Sequence, residues 1–464
     1  MQRLRRHFLL LLFCFIFSFN ALAQQTIENE ILDLAKAQGL RSGQIGFVVI
    51  PVGQDKPVVQ INPDKLFTPA SIIKLITSWA ALEKWGSTHT FETPIKQFKK
   101  SLCIEGGGDP TLVHEQVFLM AEQISKVISD PVDALYVDDS KFPSTRQYSN
   151  SFEGDQQRAF TAPIGALSMD YNAVTITIKG GTLGEKPEVI VTPDLDLFEI
   201  KNKATIAQKD QNPSVQVIEK NKKWTIEVSG HFSVHHHKNY YRSIPEPPLY
   251  VGSAFARYFK MFTGKSIDQI EHSPCPPDAK TVYVHPSRPL GEMIVFMNKY
   301  SNNMIAETLF AQLGDPVGTV EGSEYIQKML KDRLSYQEGM IIENGSGLSH
   351  RSKVTPLWFT HFIQMIYRDF LAQPEIFASL GISGMDGTLR RRTKHPQLIQ
   401  NIRGKTGSLS GISTLSGIMD TPYFGKCLFA LFFDHAQIPA WRVFDLEKQI
   451  FATLMSKATL KENK

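Results

Sequence analysis

Three short motifs contain the side chains of this chain that could do chemistry together. Ser71–Lys74 has the spacing S-x-x-K, Ser301–Asn303 has the spacing S-x-N, and Lys405–Gly407 reads K-T-G. A serine hydroxyl is a weak nucleophile unless an adjacent base takes its proton. Because the motifs supply hydroxyls and amines, they predict hydrolysis through an active-site serine, with no metal and no organic cofactor.

The first motif places a nucleophile beside a base. Residues i and i+3 share one face of a helix, so the Ser71 hydroxyl can meet the Lys74 amine. A free lysine has a pKa of about 10.4, so Lys74 acts as a base only where its neutral form is favoured. Burial close to a second cation has that effect, and Lys405 is the predicted cation. We therefore expect Ser71 to be the nucleophile and Lys74 its base.

The other two motifs are predicted to hold and protonate the substrate. Ser301 can pass a proton to a leaving amine, and Asn303 can bind a substrate amide. Lys405 and Thr406 can bind a substrate carboxylate, and Gly407 lets its strand run flush against an extended substrate. Ser301 is thus predicted to be catalytic, and the other four residues to bind substrate.

Backbone N–H groups are predicted to complete the site. Those of Ser71 and Ser408 could form an oxyanion hole for the charge that develops in acyl transfer. S-x-x-K and S-x-N are each frequent by chance. A K-T-G sequence followed by Ser408, with the other two motifs upstream in order, is a specific signal.

Other residues that could carry chemistry give weaker signals. His114-Glu115 begins like the zinc motif H-E-x-x-H, but Phe118 stands at the second histidine position. His235–His237 are interpreted as a solvent-facing strand end or loop, and Arg390–Arg392 as a solvated surface. No metal site is predicted.

Helices and strands around the motifs should position them. Apolar residues crowd the segment from Phe67 to Trp85, which predicts a buried helix that starts at Thr68-Pro69. Short β-like runs dominate from about Ser87 to Tyr283. Helices are predicted at Leu290–Leu313, Ser323–Leu334, Pro356–Leu371 and Trp441–Met455, and strands at Gln44–Ile50, Pro57–Ile61, Ile412–Met419 and Cys427–Phe433.

The first 23 residues have the layout of a signal peptide. Three arginines precede an almost wholly apolar run from Phe8 to Phe19, and Ala21-Leu22-Ala23 could be the cleavage site; an uncleaved membrane anchor is the alternative. Cleavage removes three arginines and no acids, so the formal net charge of +4 falls to +1. No basic patch stands out, which argues against a nucleic-acid partner.

Beyond the three motifs, five further segments carry a family resemblance. They are Gly106–Leu112, Tyr136–Phe142, Ala162–Ser168, Asn344–Ser349 and Asp386–Arg390. With them the chain resembles the class C low-molecular-mass penicillin-binding proteins, the D-alanyl-D-alanine carboxypeptidase/endopeptidases of the penicillin-binding-protein-4 type. The resemblance covers nearly the whole chain after the signal peptide.

The resemblance implies an α/β (α+β) fold. A transpeptidase/β-lactamase-like domain, with an antiparallel sheet flanked by helices, is expected from residues 24–88 and 283–464. A large β-rich region, residues 89–282, interrupts it and is expected to form two subdomains. The amino-terminal strands must then join the strands after Gly411 in one sheet.

Three cysteines remain after the signal peptide, and they allow one internal disulfide with three pairings. Cys427 lies in an apolar strand and is interpreted as a buried free thiol. Cys103 and Cys275 both lie in the inserted region, and we hypothesise that they form the bridge.

The function that the resemblance implies is a periplasmic, penicillin-binding D-alanyl-D-alanine carboxypeptidase/endopeptidase. Peptidoglycan peptides would be its substrates and β-lactam antibiotics its covalent inhibitors, through an acyl-enzyme at Ser71. A β-lactamase, a D-amino-acid amidase and a non-catalytic peptidoglycan-binding module are the alternatives. The sequence leaves the oligomeric state open.

Overall fold

A computed structural model describes residues 27–142, 157–220, 223–435 and 438–456 of the chain. The predicted signal peptide, residues 1–23, lies outside the described residues. Among the helices in those ranges, none is both long enough and apolar enough to cross a bilayer.

The described residues form eleven helices and eighteen strands. Residues 27–37 are helical and are called α1. The other helices are α2 (Lys74–Trp85), α3 (His114–Val127), α4 (Pro247–Thr263), α5 (Leu290–Lys299), α6 (Asn303–Leu313), α7 (Thr319–Arg333), α8 (Pro356–Arg368), α9 (Ala372–Ser379), α10 (Leu389–Arg392) and α11 (Ala440–Ser456). The strands are β1 (Ile45–Pro51), β2 (Val59–Ile61), β3 (Glu92–Phe98), β4 (Ser101–Glu105), β5 (Ala134–Asp138), β6 (Ala173–Lys179), β7 (Glu188–Thr192), β8 (Phe198–Asn202), β9 (Thr205–Ala207), β10 (Gln211–Lys220), β11 (Lys223–Ser233), β12 (His237–Ser243), β13 (Gln269–His272), β14 (Lys280–Pro286), β15 (Gly381–Ile382), β16 (Ile402–Leu409), β17 (Ile412–Thr421) and β18 (Gly425–Asp434).

The chain divides into two compact units. Within the described residues, the first unit contains 27–83, 294–301 and 326–456, and the second contains 84–293 and 302–325. This division describes packing. The catalytic domain (residues 24–88 and 283–464) and the insertion (residues 89–282) that the sequence predicts are divisions by function, and this assignment stays a prediction.

One antiparallel sheet organises the first unit. Its strand order is β15-β16-β17-β18-β1-β2. β1 pairs with β18 from Ile45 opposite Phe433 to Pro51 opposite Cys427. The amino-terminal strands therefore join the strands that follow Gly411, as the family resemblance implied.

Helices cover both faces of this sheet, and the sequence of β18 shows why. Its residues from Cys427 to Phe433 are apolar and buried, as in strands covered on both faces. Alternate side chains point to opposite faces. Phe429 packs on Phe451 of α11 at a ring distance of 5.0 Å, whereas Phe432 packs on Phe359 of α8 at 6.3 Å.

The second unit is built on three smaller sheets. Their orders are β13-β5-β4-β3-β14, β12-β6-β7, and β10-β11-β8 with β9 also paired to β11. The β-rich texture was predicted, but helices α3 and α4 were not. In α3 the buried residues Val117, Met120, Ala121 and Ile124 follow the i, i+3, i+4, i+7 spacing of an amphipathic helix. This helical pattern is present in the sequence, but the β-like runs on both sides of it led to a β-rich prediction for the whole region.

The predicted helix from Phe67 to Trp85 starts later than expected. Phe67 forms an isolated β-bridge with Val354, and Ala70 has a φ of 49°, so neither residue belongs to an α-helix. A 3-10 turn, Ala70–Ile73, leads into α2 at Lys74. Thr68 does not cap the helix; its hydroxyl accepts a hydrogen bond from Lys353 at 2.6 Å.

The single helix predicted from Leu290 to Leu313 is two helices. The break falls at Ser301, whose φ of 56° lies in the left-handed region. Asn302 then caps α6, because its Oδ1 accepts a hydrogen bond from the Ile305 N–H at 3.0 Å. The apolar pattern continues through the break, so periodicity alone could not locate it.

The second unit contains a disulfide between Cys103 and Cys275, the hypothesised pair. Cys427 is a buried free thiol in β18, as interpreted from the sequence, and burial raises its pKa to about 12.

The number of reactive thiols tests this assignment of one disulfide and one free cysteine. In denaturant without reductant, residues 24–464 isolated from an oxidising compartment should present one reactive thiol, that of Cys427. Reduction should raise the count to three, and a Cys427→Ser variant should present none before reduction. Three thiols before reduction would contradict the disulfide.

Candidate active site

Ser71 and Lys74 lie at the junction of the 3-10 turn and α2 in the first unit. Lys74 Nζ is 3.1 Å from Ser71 Oγ, so the structure brings together the predicted nucleophile and base. The Lys74 side chain is fully buried, whereas Ser71 is partly exposed. Nζ also donates to the carbonyl of Ser346 at 2.7 Å, which holds the amine beside the hydroxyl.

The Asn344–Ser349 segment presses against the turn that carries Ser71. Gly347 has a φ of +79°, and a Cβ at this position would lie 1.9 Å from the carbonyl oxygen of Ala70. Only glycine fits there. Thr77 of α2 donates to the Gly345 carbonyl at 2.9 Å. The sequence marked this segment only through the family resemblance and did not indicate that it holds the predicted base.

Lys405 of β16 contacts Ser301, so the second and third motifs also lie together. Lys405 Nζ donates to Ser301 Oγ at 2.9 Å and to the Thr406 carbonyl at 2.7 Å. The left-handed backbone of Ser301 costs free energy, and such strain tends to cluster at functional sites.

β16 runs directly against the turn that carries the nucleophile. A Cβ on Gly407 would lie 2.9 Å from both the Pro69 carbonyl oxygen and the Ser71 nitrogen. The glycine of K-T-G is therefore required by packing against the protein's own backbone. Its predicted contact with substrate stays a prediction.

The electrostatics of the site depend on two buried lysines. Burial lowers the pKa of Lys405 well below its ordinary value, and the positive charges of Lys74 and Arg392 lower it further. Both lysine side chains have a relative exposure of 0%. The positive charge of Lys74 thus acts on Lys405, and the predicted converse, that Lys405 favours the neutral form of Lys74, stays a prediction.

The remaining predicted binding residues have different surroundings. Thr406 is buried and donates to the Thr388 hydroxyl at 2.7 Å, and Ser408 is exposed on β16. Asn303 belongs to the second unit, where its side chain donates to the Phe160 carbonyl at 3.0 Å. The roles of these residues stay predictions.

Sequence reasoning missed a buried network that links two of the motifs. The Asn298 side chain donates to Ser78 Oγ at 3.0 Å and to Ser379 Oγ at 2.9 Å. Ser78 in turn donates to the Lys74 carbonyl at 2.7 Å. The network ties α2 to the segment that precedes Ser301. No motif marks it, since each residue is ordinary in its local sequence.

The interpretation of Arg390–Arg392 as a solvated surface is wrong for Arg392. Arg390 and Arg391 are exposed, but Arg392 is 8% exposed and pairs with Glu447 of α11, which is 0% exposed. Arg392 Nη2 is 2.6 Å from Glu447 Oε2. The pairing partner is 55 residues away in sequence, so the local run of arginines could not reveal it.

The interpretation of His235–His237 as a solvent-facing strand end or loop is likewise wrong for one residue, His236. His235 and His237 are exposed, but His236 is buried and its Nδ1 lies 3.1 Å from Asp210 Oδ1. A buried imidazole with a carboxylate partner explains why this histidine turns inward.

Two clusters in the described residues have the composition of metal sites, and both lie in the second unit. One is Cys103, Asp138 and Cys275, whose sulfurs form the disulfide. The other is His114, Glu115 and Asp170, in which Asp170 Oδ1 accepts from the His114 backbone N–H at 3.1 Å. Neither contains a predicted site residue.

Known proteins match the sequence over most of its length. A D-alanyl-D-alanine carboxypeptidase of Actinomadura sp. is 26% identical over 433 residues, covering 87% of this chain and 80% of that protein. D-alanyl-D-alanine carboxypeptidase DacB of Haemophilus influenzae is 24% identical, and the match covers 84% of this chain and 85% of that protein.

The fold matches as well. The crystal structure of penicillin binding protein 4 (dacB) from Haemophilus influenzae has a TM-score of 0.78 at 21% identity, covering 92% of this chain and 99% of that one. This likeness confirms the predicted α+β fold with its antiparallel sheets.

The family follows from the sequence match. The model of the D-Ala-D-Ala carboxypeptidase 3 (S13) family spans residues 26–445, which includes all three motifs, and the predicted resemblance is confirmed. The chain therefore belongs to the D-Ala-D-Ala carboxypeptidase 3 (S13) family and is a peptidase of that family.

Proposed function

We propose that this chain hydrolyses D-alanyl-D-alanine stem peptides and cross-links of peptidoglycan through an acyl-enzyme at Ser71. The observation that carries the proposal is the pairing of the partly exposed Ser71 hydroxyl with the buried Lys74 amine at 3.1 Å. A hydroxyl beside an amine that is costly to protonate is an activated nucleophile.

The second buried amine explains how Lys74 can be a base. Two positive charges buried close together disfavour each other, so protonation of one amine opposes protonation of the other. Burial lowers the pKa of Lys405 most, and the charge of Lys74 lowers it further. A neutral Lys74 amine then accepts the Ser71 proton as the hydroxyl attacks.

Acylation forms one bond and breaks another. Ser71 Oγ bonds to the carbonyl carbon of the penultimate D-alanine, and the C–N bond to the leaving group breaks. Ser301 delivers its proton to the leaving amine, which belongs to the terminal D-alanine or to a diamino acid in a cross-link, and regains a proton from Lys74, which becomes neutral again. Lys405 and Thr406 bind the carboxylate near that bond, and the N–H groups of Ser71 and Ser408 bind the oxyanion.

Deacylation reverses the roles. Once the leaving group has departed, water occupies its place and Lys74 accepts a proton from it. The resulting hydroxide bonds to the ester carbon, the C–O bond to Ser71 Oγ breaks, and Lys74 returns the proton to Ser71 as the shortened peptide leaves; its new carboxylic acid then ionises in water.

Two solved relatives support the substrate and inhibitor classes. One structure of penicillin binding protein 4 from Haemophilus influenzae, with a TM-score of 0.74, is described as complexed with a novel β-lactam. A predatory endopeptidase of Bdellovibrio bacteriovorus, bound to an immunity protein, has a TM-score of 0.52. On this basis we include cross-links among the substrates and β-lactams as covalent inhibitors of Ser71.

The location and domain roles complete the proposal. Peptidoglycan lies outside the cytoplasmic membrane, so residues 1–23 act as the signal peptide and the chain works in the periplasm. Residues 24–88 and 283–464 form the catalytic domain, residues 89–282 form its insertion, and Asn303 binds a substrate amide.

Loss of the nucleophile or its base should abolish or slow acylation. Ser71→Ala should not be labelled by a fluorescent penicillin, and Lys74→Ala should be acylated roughly 10²- to 10⁴-fold more slowly, the range of general-base contributions. Ser42→Ala changes an exposed serine of the same unit and is the control. Normal labelling of either Ser71→Ala or Lys74→Ala would refute the assignment.

Loss of Lys405 should impair acylation without weakening the fold. We expect Lys405→Ala to slow acylation at least 10-fold, in line with other electrostatic site groups. Its thermal midpoint should change little, because removal of a buried amine near the charges of Lys74 and Arg392 offsets the packing and hydrogen bonds that the side chain loses. Arg403→Ala, an exposed position of the same strand, is the matched control. Unchanged acylation kinetics would mean that the substrate is anchored elsewhere.

The penicillin adduct should be long-lived. A class A β-lactamase uses a glutamate to activate the deacylating water, usually four residues before an asparagine, and no asparagine of this chain has a glutamate there. The opened ring stays tethered and obstructs water. Intact-protein mass spectrometry after a penicillin pulse should show one drug-sized increment that lasts many minutes and is absent in Ser71→Ala. Rapid turnover without an adduct would instead indicate a β-lactamase.

A further inference from the structure

Apart from the charge of Arg392, which further lowers the pKa of Lys405, the buried Arg392–Glu447 pair has no role in the mechanism above. Arg392 ends α10 and Glu447 lies in α11, and the two form a forked contact: Arg392 Nε is 3.1 Å from both carboxylate oxygens, and Nη2 is 2.6 Å from Oε2. The guanidinium also stacks on Phe444 of α11, 4.6 Å from the ring centroid. This geometry leaves Arg392 little freedom to move.

The free edge of this guanidinium contacts the end of β16 and β17. Nη2 donates to Ser413 Oγ at 2.9 Å and to the Thr414 carbonyl at 3.1 Å. Nη1 lies 3.4 Å from both the Gly407 carbonyl oxygen and Ser408 Oγ. Gly407 is opposite Thr414 in the strand pair, and Ser408 is opposite Ser413. Arg392 thus contacts two consecutive residue pairs at the point where K-T-G is followed by Ser408.

The contact between Arg392 and the Gly407 carbonyl also constrains the N–H group of the same peptide unit. In a trans peptide the C=O of one residue and the N–H of the next point in opposite directions within one plane. The group that contains the Gly407 carbonyl also contains the Ser408 N–H. Whatever fixes the carbonyl therefore fixes the direction of an N–H that the proposed mechanism needs.

β16 needs such support at this point because its pairing is one-sided. β15 pairs with β16 only at Arg403 and Gly404. Beyond these residues, β17 is the one strand paired with β16 in the described part of the chain. An edge left open can admit an extended substrate, but it also leaves the peptide groups that face the substrate without a second strand to hold them.

Stability alone is a poor reason to bury this pair. Removing two charges from water costs about as much as their attraction returns, and apolar residues of similar volume often replace such pairs without loss. A forked guanidinium, in contrast, directs several donors at fixed angles.

We propose that Arg392, held by Glu447, is a positioning residue of the active site that orients the Gly407–Ser408 peptide group so that the Ser408 N–H faces the oxyanion. This inference rests on the proposed acyl-enzyme at Ser71. Because the oxyanion forms only as the bond is made, loss of Arg392 lowers the rate constant of acylation and kcat, and changes KM little.

Three variants test the proposal. Arg392→Lys keeps the charge and removes the fork. The double variant Arg392→Met/Glu447→Leu removes both charges, so it leaves no unpaired charge in the core and provides a folded protein if the single variant is unstable. Arg391→Met changes the exposed neighbour and is the matched control.

The measurement is the rate constant of acylation by a fluorescent penicillin, taken from the time course at saturating label and normalised to the final labelled fraction. A purely structural role would lower the labelled fraction and leave the rate constant unchanged. We expect the rate constant of the Arg392→Lys and double variants to fall roughly 10- to 100-fold, the size of effect that small misplacement of catalytic groups produces. Arg391→Met should behave as the unchanged protein. Hydrolysis of a D-alanyl-D-alanine peptide should show the same fall in kcat.

Two results would overturn the proposal. One is an unchanged rate constant per labelled molecule in both Arg392 variants, and the other is a raised KM with unchanged kcat, which would make Arg392 a binding group. If the unchanged protein itself takes no label, the acyl-enzyme proposal fails first and this inference fails with it. If the unchanged protein is labelled normally, the variants decide on Arg392 alone.

Discussion

The burial of two lysine amines in one site is the constraint on which the rest of the first unit depends. Neither Lys74 nor Lys405 has an exposed side chain, and an unpaired buried ammonium group is strongly disfavoured. Each amine therefore needs neutral oxygen partners, which the Ser346 carbonyl, the Ser301 hydroxyl and the Thr406 carbonyl provide. The burial that makes these amines costly to protonate is also the condition that the proposed role of Lys74 as a base requires.

Supplying those partners forces the backbone into tight and strained geometry. Gly347 and Gly407 approach the turn around Ser71 from two directions, and a methyl group at either position would overlap backbone atoms. Ala70 and Ser301 adopt left-handed conformations that non-glycine residues rarely take. The surrounding packing, including the Asn298 network, holds these residues in place. Close contacts of this kind leave the backbone of the predicted site little space to move, and a preorganised site is what electrostatic stabilisation of a transition state requires.

The sequence predicted the residues of the site better than the local backbone that carries them. Motif spacing was enough to bring Ser71 to Lys74, because residues i and i+3 share one face of a helix. The contact between Lys405 and Ser301, 104 residues apart, is tertiary, and spacing could not predict it. Spacing also did not reveal that the helix around Ser71 begins with a 3-10 turn or that the helix around Ser301 breaks. Those features follow from the bridge between Phe67 and Val354 and from the left-handed Ser301, which are tertiary in origin. The burial of Arg392 was missed for the same reason, since its partner Glu447 is remote in sequence.

The pairing of β1 with β18 has a consequence for the order of assembly. β1 is the first strand of the described chain and β18 is the last, and β18 lies between β17 and β1 in the sheet. When the chain is synthesised from its amino terminus, β1 cannot pair with β18 until almost every later residue has been made. Contacts between such distant segments form late and slowly, because loop closure precedes any gain from them. Strand β16, which carries Lys405, belongs to the same sheet. We therefore expect the proposed site to be completed late in folding, with the long-range pairing of β1 and β18.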